Sequence, residues 1–487
     1  MPETTISPMY EINTAVYLSN LSKSYGRKIK LDNITDLELN RLVELGVKSV
    51  WLMGVWQRST VSKDMALSNK VLMAELSELV ANYSPEDVIG SAYSISDYSI
   101  NQDFGGLEAL KKFREQLSKY GIKLILDFVP NHVSIDNVWV KELPELFILG
   151  DKKELRDTPE DYVEIEGRIH ANGRDPSLPP WTDVVQLNAF AEGYRAKSIQ
   201  VLKDIVNICD GVRCDMSMLL LNRIFLNTWG DKAGKVPDRE YWSEVIASTK
   251  GISPDFIFIA EAYWDTQAEL IKEGFNYCYD KTLYDLLREG VSTPITQHLS
   301  NTSSYRKHLL SFIENHDENR AAETFEEEKA VAATSILLSL SGVTLLHDGQ
   351  LEGYKIRIPV HVKRGSNEEV NKKLQKDYEE LLAAFRDLNS KNLEKQAIKS
   401  NSDDVFAWQM STSSGAYFIV VNFSNSKTAT TLQAEDLSQS LKSLRPQLIY
   451  TSVQGGVLEV KHKDNNKLKL TMKPWQVIIY SLSKPKQ

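Results

Sequence analysis

The feature that most constrains this chain is a unit that recurs: a helical pattern closed by glycine, followed at once by a short apolar run. A helix opened by Thr35, with Glu38 three residues later in capping-box spacing, closes at Gly46 before VKSVWLM. A second, with Leu107, Leu110, Phe113 and Leu117 on one face, ends at Gly121 before IKLILDF. A third ends near Asp210 before GVRCDM, and a fourth, AELIKEG, ends at Gly274 before FNYCYDK. Glycine ends a helix at little cost because it accepts positive φ. Apolar runs fall near residues 14, 50, 125, 213, 258, 277, 311 and 344, the first being Tyr10 to Leu18 read as a strand. Helical patterns separate most of them, which predicts a parallel sheet closed as a (β/α)8 TIM barrel. An open doubly wound sheet is the rival, and no Gly-rich phosphate loop follows the first strand to support it.

Two intervals exceed a plain barrel connection. One runs from about Gln57 to Val88; the other, Ser134 to Asn188, is rich in Pro, Asp and Gly and reads as a short inserted region after strand 3. Beyond a charged helix around Glu368 to Asn389 the pattern changes. Phe406 to Gln409, Ala416 to Phe423, Gln447 to Thr451, Val457 to Val460 and Leu468 to Tyr480 are β-like with no helices between, as in an antiparallel β-sandwich domain. The expected division is therefore a barrel over 1–133 and 189–392, an insertion over 134–188 and a C-terminal β-domain over 393–487.

Composition removes several function classes. A net charge of −9 offers nothing to a phosphate backbone, so no nucleic-acid role is expected. The three cysteines, Cys209, Cys214 and Cys278, have no paired spacing and read as reduced, partly buried thiols. The apolar stretch Ala330 to Leu346 is broken by Thr334, Ser335, Ser339, Ser341 and Gly342, so it reads as a buried helix running into a strand and not a membrane span. No signal peptide is visible at MPETTISPMYE, which makes a cytoplasmic location the default expectation. Nothing in the sequence speaks to oligomeric state.

The chemistry sits at the ends of the apolar runs. In DGVRCDMSML a strand turns Arg213 and Asp215 to one face, where the cation can hold the carboxylate ionised. Taken singly that is an ordinary structural ion pair. Three other stretches change its weight: DFVPNH (Asp127 to His132), IAEAYW (Ile259 to Trp264) and IENHDENR (Ile313 to Arg320). Asp127, Asp215, Glu261 and Asp317 all fall at or just past strand ends, and a barrel gathers such positions at one mouth. Paired carboxyl groups there are what cleavage of a glycosidic bond requires.

DFVPNH, GVRCDMSML, IAEAYW and IENHD resemble, in order, four signatures of the α-amylase family of glycoside hydrolases (family 13). The resemblance implies a retaining α-glycoside hydrolase that acts on maltodextrin-like oligosaccharides by double displacement, in a family whose carboxyl groups stand about 5 Å apart. It implies Asp215 as nucleophile, with Arg213 keeping it ionised. Glu261 would be the general acid/base, with a pKa raised by a partly apolar, carboxylate-rich setting. Asp317 would bind sugar hydroxyls, His132 and His316 would donate hydrogen bonds in the transition state, Tyr93 would stack on the sugar, and Asp97 would be a nearby structural acid.

Where many starch-acting relatives carry a Lys-His pair after the nucleophile, this chain has Met218 and Leu219, which implies a less polar leaving-group side. VVQLN (Val184 to Asn188) resembles the fifth signature with Gln186 at a frequent calcium-ligand position. Asn131 keeps the other common ligand and Asp183 is nearby, so calcium is an option and no cofactor is required. Aromatic residues in and near these loops, Trp51, Trp56, Trp139, Trp181 and Trp264, are candidates for sugar stacking, though each taken singly is more often a core residue. The alternatives are a transglycosylase (glucanotransferase) with the same site, differing in whether water or a sugar accepts the glycosyl group, and a non-catalytic sugar-binding protein, against which all three carboxylates speak.

Overall fold

The computed structural model of the chain describes residues 6–80, 82–391, 393–412, 415–433, 445–453 and 467–483. Eight parallel strands close into a barrel, each neighbouring the next in sequence and the last meeting the first. They are β1 (Met9–Asn13), β2 (Ser49–Met53), β3 (Lys123–Phe128), β4 (Gly211–Cys214), β5 (Ile257–Ala260), β6 (Tyr277–Tyr279), β7 (Leu309–Ser311) and β8 (Val343–His347). The strands are short and buried, as expected where helices cover a parallel sheet. Gly211 opens β4 because nothing larger fits: an added Cβ would lie 2.6 Å from the Ile257 carbonyl oxygen on β5.

The first apolar run is shorter as a strand than its pattern predicts. Tyr10 to Leu18 divides at Asn13, whose side chain accepts from the Val16 amide and caps a helix over Thr14–Tyr25. A polar cap thus overrides the β-like composition of Thr14 to Leu18. The helix over Gly106–Lys119 buries Leu110, Phe113 and Leu117 as its spacing predicts, while Leu107 in its first turn is exposed. Helix Glu327–Ser339 runs into β8, and no described helix is long and apolar enough to cross a membrane.

The chain divides into two compact units. One comprises Met1–Leu39, Lys48–Tyr279 and Ile358–Asn367; the other comprises Asn40–Val47, Asp280–Arg357 and Glu368–Gln487. In the first, the interval after β2 holds a helical hairpin, Thr60–Ser68 and Lys70–Leu79, whose Ala66 and Leu76 pack with Val88 and Val362. After β3 comes an antiparallel sheet in the order His132–Ser134, Trp181–Gln186, Arg168–Gly173, Tyr162–Ile165. In the second unit, five antiparallel strands (Gln396–Ala397, Val405–Thr412, Gly415–Asn422, Val477–Ser483, Arg445–Thr451) form a C-terminal sheet in that order. Thr428–Gln433 pairs with Lys467–Met472 beside it, and Phe418, Val420, Leu470 and Tyr480 share one core. The β-like run Val457 to Val460 lies outside the described residues.

Candidate active site

The site is built around Arg213. Its strand position places it in register with Asp127 on β3 and Ile259 on β5, and its side chain is 1 % exposed. Nη1 donates to Asp215 Oδ1 at 2.7 Å, and Nη2 lies 2.9 Å from Glu261 Oε2. One guanidinium therefore spans the two carboxyl groups that the sequence singled out, although they are separated by a full βα unit. Nε donates to the Tyr279 hydroxyl at 3.2 Å, and the rings of Trp51, Tyr93 and Tyr279 surround the cation at 5.2, 5.3 and 5.5 Å. Burial opposes the charge, but Glu261, Tyr279, Tyr93 and Asp215 outweigh it and hold the arginine pKa well above its ordinary value. The cation is permanent.

Asp215 and Glu261 each follow a barrel strand directly and continue its ladder: the Asp215 amide donates to the Phe128 carbonyl and the Glu261 amide to the Cys214 carbonyl. Met216 then takes a left-handed conformation, φ 45°, and its amide donates to Glu261 Oε2 at 2.6 Å. The other oxygen, Oε1, accepts from the Tyr263 hydroxyl at 2.8 Å. The setting of Glu261 thus includes two donors and a cation, with Asp215 on the same guanidinium. A hydroxyl can accept as well as donate, whereas a guanidinium and an amide N–H cannot. Oε1, facing Tyr263, is consequently the oxygen that can carry a proton.

Asp127 is part of the frame. Its carboxylate accepts from Trp51 Nε1 at 3.1 Å and the Gly54 amide at 2.7 Å, and its carbonyl accepts from Trp56 Nε1. Trp51 and Trp56 are accordingly core residues with satisfied indoles, not stacking surfaces. His132 is buried, and burial pushes its pKa down to about 4 against the opposing pull of Asp183, the Tyr93 backbone and Glu261. It is a neutral imidazole at pH 7, flanked by the Trp181 ring at 5.1 Å. Tyr93 is half-buried with its ring over Arg213, while Asp97 is exposed on the strand Ile95–Ile100, which does not suit a structural acid. Met218 and Leu219 are buried in the turn Ser217–Leu220.

The donor set around Asn131 does not fit a calcium ion. Gln186 Nε2 donates to Asn131 Oδ1 at 3.0 Å, to the Asn131 carbonyl at 2.9 Å and to the Leu187 carbonyl at 3.0 Å. A neutral amide nitrogen thus fills the place that three oxygens would offer a cation. Asp183, the nearest acid in the sequence, accepts instead from Ser62 Oγ at 2.6 Å. Among the described residues, no group of three or more His, Cys, Asp or Glu side chains is placed to hold a metal.

In the second unit, His316 and Asp317 follow β7. His316 is buried with Nε2 3.1 Å from Asp317 Oδ2, and the Asp317 side chain is 44 % exposed. Asn315 Oδ1 accepts from the amides of Asp317 and Glu318 at 2.9 Å each, fixing the turn that presents the aspartate. Beneath it, the fully buried Glu314 accepts from the Ala321 amide and pairs with Arg320 and His347, each at 3.0 Å. Sequence reasoning passed over Glu314, Arg320, His347, Tyr263 and Tyr279. Glu314 and Arg320 stood inside IENHDENR and Tyr263 inside IAEAYW, so their motifs were the available signal.

A sequence model of the α-amylase catalytic domain matches residues 26–186. Over that stretch the chain is similar to the α-amylase family. α-Amylase MalA of Haloarcula japonica is 23 % identical over 449 residues, covering 88 % of this chain and 57 % of that protein. Oligo-1,6-glucosidase of Parageobacillus thermoglucosidasius is 30 % identical over 154 residues, 31 % of this chain and 20 % of that one. The chain thus spans little more than half the length of the first of these relatives. In structure it is similar to an α-amylase of Geobacillus thermoleovorans (TM-score 0.69, 16 % identity, 100 % of both chains) and to one from Anoxybacillus (TM-score 0.70, 16 % identity, 99 % and 98 %). At these identities the α-amylase structures show a shared fold.

Proposed function

We propose that the chain is a retaining glycoside hydrolase that cleaves α-glucosidic bonds of maltodextrin-like oligosaccharides. The observation that carries this reading is the single buried guanidinium of Arg213 bound to Asp215 and Glu261 together. It keeps Asp215 ionised as a nucleophile and holds a second carboxyl group beside it, the pairing that double displacement needs. An Asp215 oxygen attacks the anomeric carbon while the bond to the leaving sugar breaks, and Glu261 gives that sugar's oxygen a proton from Oε1. Water then attacks the glycosyl-enzyme; Glu261 takes a proton from it, and the bond to Asp215 breaks.

The neutral His132 and the half-buried Tyr93 suit the sugar contacts that the family resemblance implies; for His316 and Asp317 the resemblance implies a transition-state hydrogen-bond donor and a hydroxyl-binding acid. The names of the relatives, α-amylase and oligo-1,6-glucosidase, support the α-glucosidic class. The test is turnover of maltotetraose followed by NMR of the first product formed. The reading requires the α-anomer initially and a loss of several orders of magnitude in Asp215→Asn. Initial β-anomer, or full activity in Asp215→Asn, would overturn it.

A further inference from the structure

The helical hairpin after β2, Thr60–Ser68 and Lys70–Leu79, supplies neither the catalytic carboxylates nor the arginine between them. It faces the strand Trp181–Gln186 across a groove of about 820 Å³. The two walls are bonded to each other: Asp183 accepts from Ser62 Oγ at 2.6 Å, and that hydroxyl accepts from the Ser91 amide at 3.1 Å. Asn69 Oδ1 accepts from the Val71 and Leu72 amides, capping the second helix and holding Val71, 78 % exposed, along the groove. A groove whose walls are tied in this way is formed before a ligand arrives, which lowers the ordering cost of binding.

The lining decides what the groove can hold. Asp64, Glu75 and Asp183 supply three carboxylates, and among the described residues no lysine or arginine lines it. Burial lowers the pKa of His361, so that ring adds no charge at neutral pH. Like charges therefore repel a phosphate or carboxylate ligand, and the acids are not grouped to hold a metal ion. A neutral polyol fits: its hydroxyls donate to the carboxylates, and the C–H face of a sugar ring lies on the half-buried Trp181 with Val71 beside it. The same indole meets the His132 ring at 5.1 Å, so it borders both the groove and the candidate site. We propose that this groove is a second carbohydrate site, which holds glucose units of an α-glucan away from the bond being cleaved. This rests on the hydrolase reading above and gives the hairpin a role in retaining long chains.

Asp215→Asn removes turnover, so binding can be read without digestion of the ligand. Native electrophoresis of this variant through gels containing soluble amylose measures its affinity for the chain. Deoxynojirimycin, the size of one sugar ring, reports the catalytic pocket alone. Adding Trp181→Ala or Asp64→Arg to Asp215→Asn weakens amylose binding about ten-fold, the scale of one lost stacking contact or charged hydrogen bond. With Asp64→Arg, which leaves the Trp181–His132 contact in place, binding of deoxynojirimycin changes at most about two-fold. Amylose binding absent from Asp215→Asn, amylose binding unchanged in both double variants, or equal losses of the two ligands with Asp64→Arg would overturn the groove assignment. Wild-type turnover of maltotetraose would then leave the hydrolase reading standing. A wild-type protein inactive on maltotetraose would remove that reading and this site with it.

Discussion

Replacing Arg213 with methionine isolates the group on which the site is built. Methionine refills the stem of the side chain, so the packing term stays small and the change is chiefly electrostatic. The variant keeps two carboxyl groups, with side chains 8 % and 5 % exposed, whose common cation has gone. Removing one partner of a buried ion pair costs about 3–5 kcal/mol, and two stranded carboxylates place Arg213→Met at the upper end, about 5 kcal/mol near neutral pH.

The pH dependence has the same physical origin. Buried beside each other without a cation, Asp215 and Glu261 hold protons more tightly in the folded variant than in its unfolded chain. The folded variant then carries the extra protons, so its stability falls as pH rises. The gap to wild type is smallest near pH 5 and widest near pH 8. Urea unfolding followed by circular dichroism at both pH values measures it, using the midpoint of the transition that includes the barrel. Adding Asp215→Asn to Arg213→Met recovers part of the loss, because one stranded charge is removed. A variant as stable as wild type at pH 8, or a gap that does not narrow toward pH 5, would refute the argument.

Particular groups set other outcomes. His132 is neutral in the fold, with a pKa of about 4, while an unfolded histidine binds a proton near 6.5. Stability is therefore lost as pH falls from about 6.5 to about 4, on the order of 3 kcal/mol from this residue, and His132→Asn flattens that part of the stability profile. With Gln186 closing the oxygens of Asn131, EDTA leaves the Tm of the wild-type protein unchanged. Gln186→Asp puts a carboxylate against one side-chain and two backbone oxygens and makes the Tm rise with added calcium. A chelator-sensitive wild type would contradict that account of the loop.

The barrel was legible because its signal is redundant. Several βα units announce themselves through a glycine stop and an apolar run, so misplacing one boundary, as at Asn13, leaves the count intact. The strand Thr428–Gln433 escaped notice because threonine dominates it and gives little apolar alternation. In the site, Arg213, Asp215 and Glu261 were readable because each occupies a strand end inside a motif. What the motifs do not carry is direction. Whether Met218 faces a cleft or a core, whether Asp97 is buried, and which donor meets Glu261 Oε1 all depend on side chains from elements distant in sequence. The loop around Asn131 makes a similar point: Gln186 reads as a missing ligand in sequence, and in space its amide donates to the oxygens of Asn131 and Leu187.

The central claim is that Asp215 forms a bond to the sugar. Incubation with 5-fluoro-α-glucosyl fluoride, whose glycosyl-enzyme hydrolyses slowly, followed by peptic digestion and mass spectrometry, tests it most directly. The account predicts one fluoroglucosyl group on the peptide containing Asp215, and none in Asp215→Asn. A label on any other residue, or turnover of the reagent without a covalent adduct, would contradict it.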